Sequence, residues 1–282
     1  MAVINTNVSS LIGLNNLRLT NLGLQTSLER LSSGLRVNNA ADDPSGLAIA
    51  KGMEAQIHGT RKAIQNAEDG INLIHTADGT LGETHDILMR MRDLAVRASN
   101  EAPLTTADRL RLNDEFTSLQ DELDRKANAL TFNTQHLFSG GFSGTAAPLG
   151  QDLQIGPDNT ADNRIKIFIP TLSNTFLSLS PNQTQISSVN IAQSAIGRVN
   201  SAINTVSDIR SDLGIQERRL QHIIDELNVA DINISAAKSR IMDADMAAEI
   251  SEFTRLQILQ QSGTAILAQA NAQPQSVLQL LQ

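Results

Sequence analysis

Leu14-Asn15-Asn16-Leu17-Arg18-Leu19-Thr20-Asn21-Leu22-Gly23-Leu24-Gln25-Thr26-Ser27-Leu28 is the stretch on which the fold turns. Leu14, Leu17, Leu24, Leu28, Leu31 and Leu35 follow a three-four spacing, and Asn21 fills the one heptad slot that is not Leu. That is the a/d seam of a coiled coil, in which a buried Asn fixes register at a cost in stability. Upstream, Ile4, Val8 and Leu11 continue an apolar face in a shifted register. Charge is almost absent: between Met1 and Leu28 only Arg18 carries any. A helix bathed in water needs a polar, usually charged, outer face. Here that face is Asn, Gln, Ser and Thr, so the helix is suited to burial against others.

The far end of the chain repeats the pattern. From Leu256 to Gln282 no side chain is charged. Leu256, Leu259, Ile266, Ala270 and Val277 lie on a related seam, and Gly263 allows close approach. Pro274 is expected to bend or end this helix. Two charge-poor helical ends imply a chain that doubles back and pairs its termini.

Between them the code is mostly helical. Gly34 and Asn38-Asn39-Ala40-Ala41-Asp42-Asp43-Pro44-Ser45-Gly46 predict an irregular connection. Ile57, Ile64, Ala67, Ile71, Ile74, Leu81, Leu88, Met91, Ala95 and Ala98 then predict one long helix from about Leu47 to Ser99. At ~1.5 Å per residue it would be roughly 75 Å long. Asn100 to Leu104, with Pro103, reads as a turn, and Thr105 with Asp108 reads as a capping-box-like helix start. Leu112, Phe116, Leu119, Leu123, Ala127 and Leu130 form the apolar face of that third helix.

From Thr131 to about Asn190 glycines and prolines punctuate the chain. Arg164 to Ile169 alternates with β-branched residues and reads as a strand, with Leu153-Gln154-Ile155 as its partner across Gly156 to Asn163. Thr175 to Leu179 is expected to be a third short strand. Val206, Leu213, Leu220, Leu227, Ile234 and Ile241 then recur every seventh residue, with Ile203 and Ile224 in intermediate slots. A heptad this long predicts coiled-coil packing against the earlier helices. The fold class is therefore mainly α: a long antiparallel helical bundle or coiled coil with a small β-hairpin element and paired termini.

Composition sets the outer limits. The chain has 282 residues, a net charge of −8 and 2% aromatic residues, all of them Phe. A core so poor in aromatics is built from aliphatic knobs, as in bundles. The acidic balance argues against nucleic acid, which needs clustered Lys and Arg. There is no Cys, hence no disulfide, thiolate zinc site or Cys nucleophile. No apolar run approaches the roughly 18–20 residues of a membrane span, so no membrane partner is expected. The first ten residues lack the basic and apolar regions of a Sec-type signal.

Four stretches together resemble bacterial flagellins. They are Leu31-Ser32-Ser33-Gly34-Leu35-Arg36-Val37-Asn38-Asn39-Ala40-Ala41-Asp42-Asp43-Pro44-Ser45-Gly46-Leu47-Ala48-Ile49-Ala50; Met89-Arg90-Met91-Arg92-Asp93-Leu94-Ala95-Val96; Ser239-Arg240-Ile241-Met242-Asp243-Ala244-Asp245-Met246-Ala247; and Leu267-Ala268-Gln269-Ala270-Asn271 with the ending Val277 to Gln282. The resemblance implies a subunit of the flagellar filament, the propeller for swimming. It implies a terminal coiled-coil domain of residues 1–36 plus 246–282 at the inner filament core. Residues 37–245 would form a helical-bundle domain with a β-rich insert at about 131–190. The short middle marks a minimal form without large outer domains.

The resemblance also implies export through the flagellar type III channel to an extracellular filament, which fits the missing signal. It implies a homopolymer of many copies, served by an export chaperone and meeting cap and hook-junction proteins. Two other readings stand beside it: a hook–filament junction protein, and a secreted coiled-coil effector or needle-tip protein.

The candidate self-assembly seams are Leu14, Leu17, Leu24, Leu28 and Leu31 with Leu256, Leu259, Ile266 and Val277; the plain alternative is an ordinary intramolecular core. Their ordering costs ~1–2 kcal/mol of backbone entropy per residue, so the ends are expected to be disordered in the free monomer and to fold on assembly. By resemblance, Arg90, Leu94 and Glu115 match positions bound by the animal Toll-like flagellin receptor, and the Arg90 region is a candidate axial contact. On residue chemistry alone Arg90 and Glu115 read as solvated helix charges and Leu94 as packing. No residue set supports an enzyme: His58, His75, His85, His136 and His222 make no zinc-protease motif, and Ser139 to Gly144 lacks the Lys of a phosphate loop. Asp42-Asp43 and Asp243-Ala244-Asp245 lack a full Ca²⁺ loop and read as helix-start or turn residues. No catalytic, cofactor or metal residue is assigned.

Overall fold

The heptads set the architecture. A computed structural model describes residues 7–102, 104–138, 142, 150–180 and 184–279, with side chains to residue 272. Five α-helices are present among these residues: α1 (Val8–Ser33), α2 (Pro44–Ala98), α3 (Thr106–Ala129), α4 (Val189–Met242) and α5 (Met246–Gln279). The remaining elements are two antiparallel hairpins, β1 (Thr131–Phe132) with β2 (Gln135–His136), and β3 (Gln151–Gln154) with β4 (Arg164–Ile167). Pro103 and most of 139–149 lie outside the described residues.

Local chemistry explains the helix boundaries. Asn7 caps α1 by accepting from Ser10 N–H at 3.1 Å. Gly34 ends α1 with φ 71°, a left-handed value that favours glycine, and donates to Arg30 O at 2.8 Å. Pro44 opens α2, and Asp43 just before it accepts from Gly46 N–H at 2.8 Å. The capping box of Thr105 and Asp108 forms as predicted. Asp245 accepts from Ala247 and Ala248 N–H at 3.0 and 3.2 Å, starting α5.

The chain divides into two compact units. One comprises Met1–Ile57 and Ile232–Gln282, the other His58–Asp231. The second holds the main core. Leu81, Leu88, Met91 and Ala95 of α2, Phe116 and Leu123 of α3, and Val199, Val206, Leu213 and Leu220 of α4 are all buried there. All but Val199 belong to the predicted seams of the three helices. The β3–β4 hairpin packs on this core in the predicted pairing, Leu153 opposite Ile165. It sits close because Gly70 has no side chain: a Cβ there would come within 2.7 Å of Leu153 Cδ2. Asn66 Nδ2 donates to Gln154 O at 3.0 Å, and Gln216 both accepts from Phe168 N–H and donates to its carbonyl.

Three expectations need correction. Thr175 to Leu179 is a turn, not a strand. Asn174 is buried and tied to Asp124 and to Gln120 O, which bends the chain through Ser178 at φ 57°. The β1–β2 hairpin falls inside the expected β-rich stretch, at residues for which no strand was named. Finally, Pro274 does not end α5, which continues to Gln279.

The first unit has a small core of its own. Val37, Ala50 and Met242 are buried, with Leu35, Leu47 and Ile241 packed on them. An antiparallel bridge between Leu35 and Asp243 ties the end of α1 to the end of α4, and Ala244 N–H donates to Gly34 O at 3.0 Å. This knot delivers α5 back alongside α1.

Candidate assembly surface

The helices α1 and α5 lie antiparallel, and their seam is built from leucines seated on glycines. A Cβ on Gly263 would stand 3.4 Å from Leu17 Cδ1, one on Gly23 3.4 Å from Leu256 Cδ1, and one on Gly13 3.3 Å from Leu267 Cδ1. Each helix therefore supplies knobs to holes that the other leaves by lacking a side chain.

Polar groups finish the seam. Asn7 Nδ2 donates to Ala270 O at 2.8 Å, Ser10 Oγ bonds Asn271 Oδ1 at 2.8 Å, and Gln260 Nε2 donates to Asn21 Oδ1 at 2.8 Å. Buried Ser27 reaches Glu249 O at 3.5 Å. Arg30 and Glu249, 4.0 Å apart, pair across the seam near the knot.

The predicted seam residues divide cleanly. Leu17, Leu24 and Leu31 are half-buried on the inner side, and Leu256 is buried. Leu14 and Leu28 are instead 56% and 54% exposed, and Leu259 and Ile266 are 44% and 63% exposed. Asn21 is exposed too, not buried in the seam. Val277 belongs to α5, but its side chain lies outside the described residues.

The true inner columns are Gly13, Thr20 and Ser27 beside Leu17, Leu24 and Leu31, facing Phe253, Gln260 and Leu267 beside Leu256, Gly263 and Ala270. A search for apolar residues finds one column of each pair and passes over the small-residue column that lets the helices touch. The missed signal was the heptad spacing of Gly13, Thr20, Ser27 and Gly34.

What remains outside is strongly apolar. Val8, Leu11, Ile12, Leu14, Leu19, Leu22 and Leu28 of α1 are each more than half exposed. Met246, Ile250, Ile258, Leu259 and Ile266 add to this on α5. The only charge on α1 before Leu28 is Arg18, beside a shallow cleft lined by Leu14, Leu17, Asn21, Leu22 and Gln25. Large exposed apolar patches are uncommon on monomeric soluble proteins and are often interaction surfaces.

The second candidate set separates. Arg90 Nε and Nη2 donate to Glu115 Oε1 at 2.9 and 2.6 Å on the surface, joining α2 to α3. Leu94, one turn further along α2, is only 2% exposed and belongs to the core. Its side chain therefore forms no part of that surface. Met89 and Val96, which are exposed on α2, were not singled out from sequence.

Two family models match the chain: the bacterial flagellin N-terminal helical region over residues 4–143 and the bacterial flagellin C-terminal helical region over residues 196–281. A flagellin of Halalkalibacterium halodurans is 45% identical over 262 residues, 91% of each chain. A flagellin of Bacillus subtilis is 41% identical over 303 residues, 99% of each chain. A solved structure from Vibrio parahaemolyticus, described as a flagellar hook-associated protein, superposes with a TM-score of 0.57. It covers 72% of this chain and all of its own, at 14% identity, a likeness of fold alone.

Proposed function

The chain belongs to the bacterial flagellin family and is a structural subunit of the flagellar filament, and we propose that the outward apolar stripes of α1 and α5 are the surface through which its copies join. The family polymerises with itself into extracellular filaments, and the work of such a protein is mechanical. One observation carries the assignment of surface: seven large apolar side chains of α1 stand open to solvent on a helix whose inner face is already filled by α5. Each Leu so buried contributes ~1.5–3 kcal/mol. Between Val8 and Leu28, and from Leu256 onward, these helices carry Asn, Gln, Ser and Thr with Arg18 as the one charged side chain, so most of this surface can pack in a lattice without stranding a buried ion.

On this reading residues 1–36 with 246–282 make the inner layer of the filament and 37–245 surround it. Both Leu14 and Leu28, with Leu259 and Ile266, serve contacts between copies. Leu17, Leu24, Leu31 and Leu256 hold the pair together within one copy. Export by the flagellar type III route, an export chaperone, and cap and junction proteins as neighbours belong to the same proposal. Arg90 and Glu115 form the candidate axial and Toll-like receptor contact, with Leu94 as its packing support. The fold likeness to a hook-associated protein lends the junction reading less weight than the near full-length identity to flagellins.

Concentrated full-length chain treated with a precipitating salt and viewed by electron microscopy tests the proposal. Long hollow filaments are expected, and permanent monomers would favour the effector reading. Hydrogen exchange on the free monomer tests the order of events: fast exchange in α1 and α5 is expected, becoming slow in the filament.

A further inference from the structure

Within the second unit a cleft of about 730 Å³ opens between the β3–β4 hairpin and one face of α4. Ile155 and Leu227 form part of its wall, and Ile215, Arg218, Arg219 and His222 line it from successive turns. Ile215 is 53% exposed. Arg218 and Arg219 are exposed and form no ion pair among the described residues. That sets them apart from Arg61, Arg90, Arg125 and Arg210, each of which meets a carboxylate. The cleft's own acids, Asp162 and Glu226, are not bonded to them.

The complementary face is on α3. Leu110 is 50% exposed there, and Asp114 and Asp121 follow it on the same side of the helix. Both carboxylates are exposed and form no ion pair among the described residues, although Arg111 and Arg125 lie within a turn of them, whereas Glu115 and Glu122 beside them are taken by Arg90 and Arg125. Two turns separate Asp114 from Asp121, roughly 10 Å. An exposed Leu with two free acids thus matches an exposed Ile with two free arginines.

We propose that the hairpin–α4 cleft of one copy receives the Leu110–Asp121 face of α3 from a second copy, so that the chain carries both halves of a head-to-tail contact. A heterologous contact of this kind repeats without closing, as a filament requires. The inference rests on the subunit reading above and adds a surface outside α1 and α5. Opposed charges at its rim speed encounter and reject wrong registers, and salt weakens both effects.

Full-length variants test it. Arg218→Glu with Arg219→Glu is expected to slow filament elongation at least tenfold in low salt, and Asp114→Arg with Asp121→Arg to do the same. The four changes combined are expected to restore elongation to within about threefold of wild type. Circular dichroism of each monomer checks that the fold survives. The chain has no Cys, so Asp121→Cys with Arg219→Cys adds a direct reading: a short bismaleimide should link copies into a ladder in filaments and not in monomers. Wild-type filaments with an indifferent Arg218/Arg219 variant, or no recovery in the combined one, would overturn this contact alone. Wild-type chains that never polymerise would overturn the subunit reading and this contact together.

Discussion

Leu17 of α1 rests over Gly263 of α5, so close that a methyl group on that glycine would stand 3.4 Å from Leu17 Cδ1. An alanine fits at that distance and removes the helix cost of glycine, about 1 kcal/mol. A branched side chain does not fit. Gly263→Ala is therefore expected to hold or raise the temperature at which filaments dissociate. Gly263→Val should lower it, with an overpacking cost of ~1–3 kcal/mol. Equal behaviour of the two variants in a thermal disassembly scan would show that the leucine does not depend on the glycine's missing side chain.

The two leucine columns of α1 make opposite predictions. Leu14 and Leu28 face outward, so Leu14→Asp should leave monomer stability within ±0.5 kcal/mol. It should nonetheless raise the critical concentration for polymerisation about tenfold or more, since each 1.4 kcal/mol lost is a factor of ten. Leu256→Asp buries a charge in the seam itself and should block α1–α5 pairing outright. Sedimentation of polymer against total concentration separates the cases, and a Leu14→Asp chain that polymerises like wild type would remove the outer stripe from the assembly surface.

Much of this fold is legible in the sequence because its elements are long. Over α2 and α4 the heptad repeats so often that a single misread residue changes nothing, and Leu81, Leu88, Val206 and Leu213 fall in the core as expected. The terminal helices are harder to read because they bury two different things. Their leucines serve both an inner seam and an outer stripe, while five of the twelve inner positions are Gly, Ser, Thr or Gln. Hydrophobicity alone cannot say which leucine faces which neighbour. Leu94 misleads for the opposite reason: a motif shared with a family identifies a position but does not say whether its side chain points out. The turn at Asn174 depends on Gln120 and Asp124, more than forty residues away, and leaves no local trace.

Thr84 is fully buried on α2, and its Oγ1 finds no hydrogen-bond partner. A buried hydroxyl left unpaired costs roughly 1–3 kcal/mol. Thr84→Val keeps the shape and removes the polar atom. It is expected to raise stability by about 1 kcal/mol, which for a body of this size is roughly 2–4 °C in Tm. Calorimetry of the monomer reads this directly, and a lowered Tm would mean that the hydroxyl is satisfied in solution.

The β1–β2 hairpin turns on Asn133 and Thr134, both at positive φ (48° and 66°). That pair of angles is the type I′ turn, which favours Asn followed by Gly. Asn tolerates its place, but a β-branched Thr does not belong in the left-handed region, where L-residues lose ~1–2 kcal/mol. Thr134→Gly is expected to stabilise the chain by about 1 kcal/mol, and Asn133→Val to destabilise it. Urea unfolding of both variants would show opposite shifts in midpoint, and shifts of the same sign would rule out turn strain as the cause.

Acid should loosen the molecule, and three carboxylates say where it starts. The N–H groups of Asn39 and then Asn38 hold the Asp42 carboxyl below its ordinary range. Glu54 is lowered by the Lys51 ammonium and then by Lys238, and Asp108 by the Thr105 hydroxyl and N–H. A carboxylate lowered in the folded state contributes stability that is complete above its unfolded pKa, about 4. That contribution is lost as pH falls through the lower folded value. Stability should thus be flat from neutral pH to about pH 5 and decline below about pH 4. Asp42 sits in the loop that leads from α1 into α2, so Asp42→Asn should remove part of the decline in the first unit and leave the slope set by Asp108 in the second. Thermal unfolding followed from pH 7 to pH 3, with exchange rates read separately for α1 and α3, checks both statements. An Asp42→Asn chain that keeps the full acid slope around α1 would place the sensitive carboxylate elsewhere.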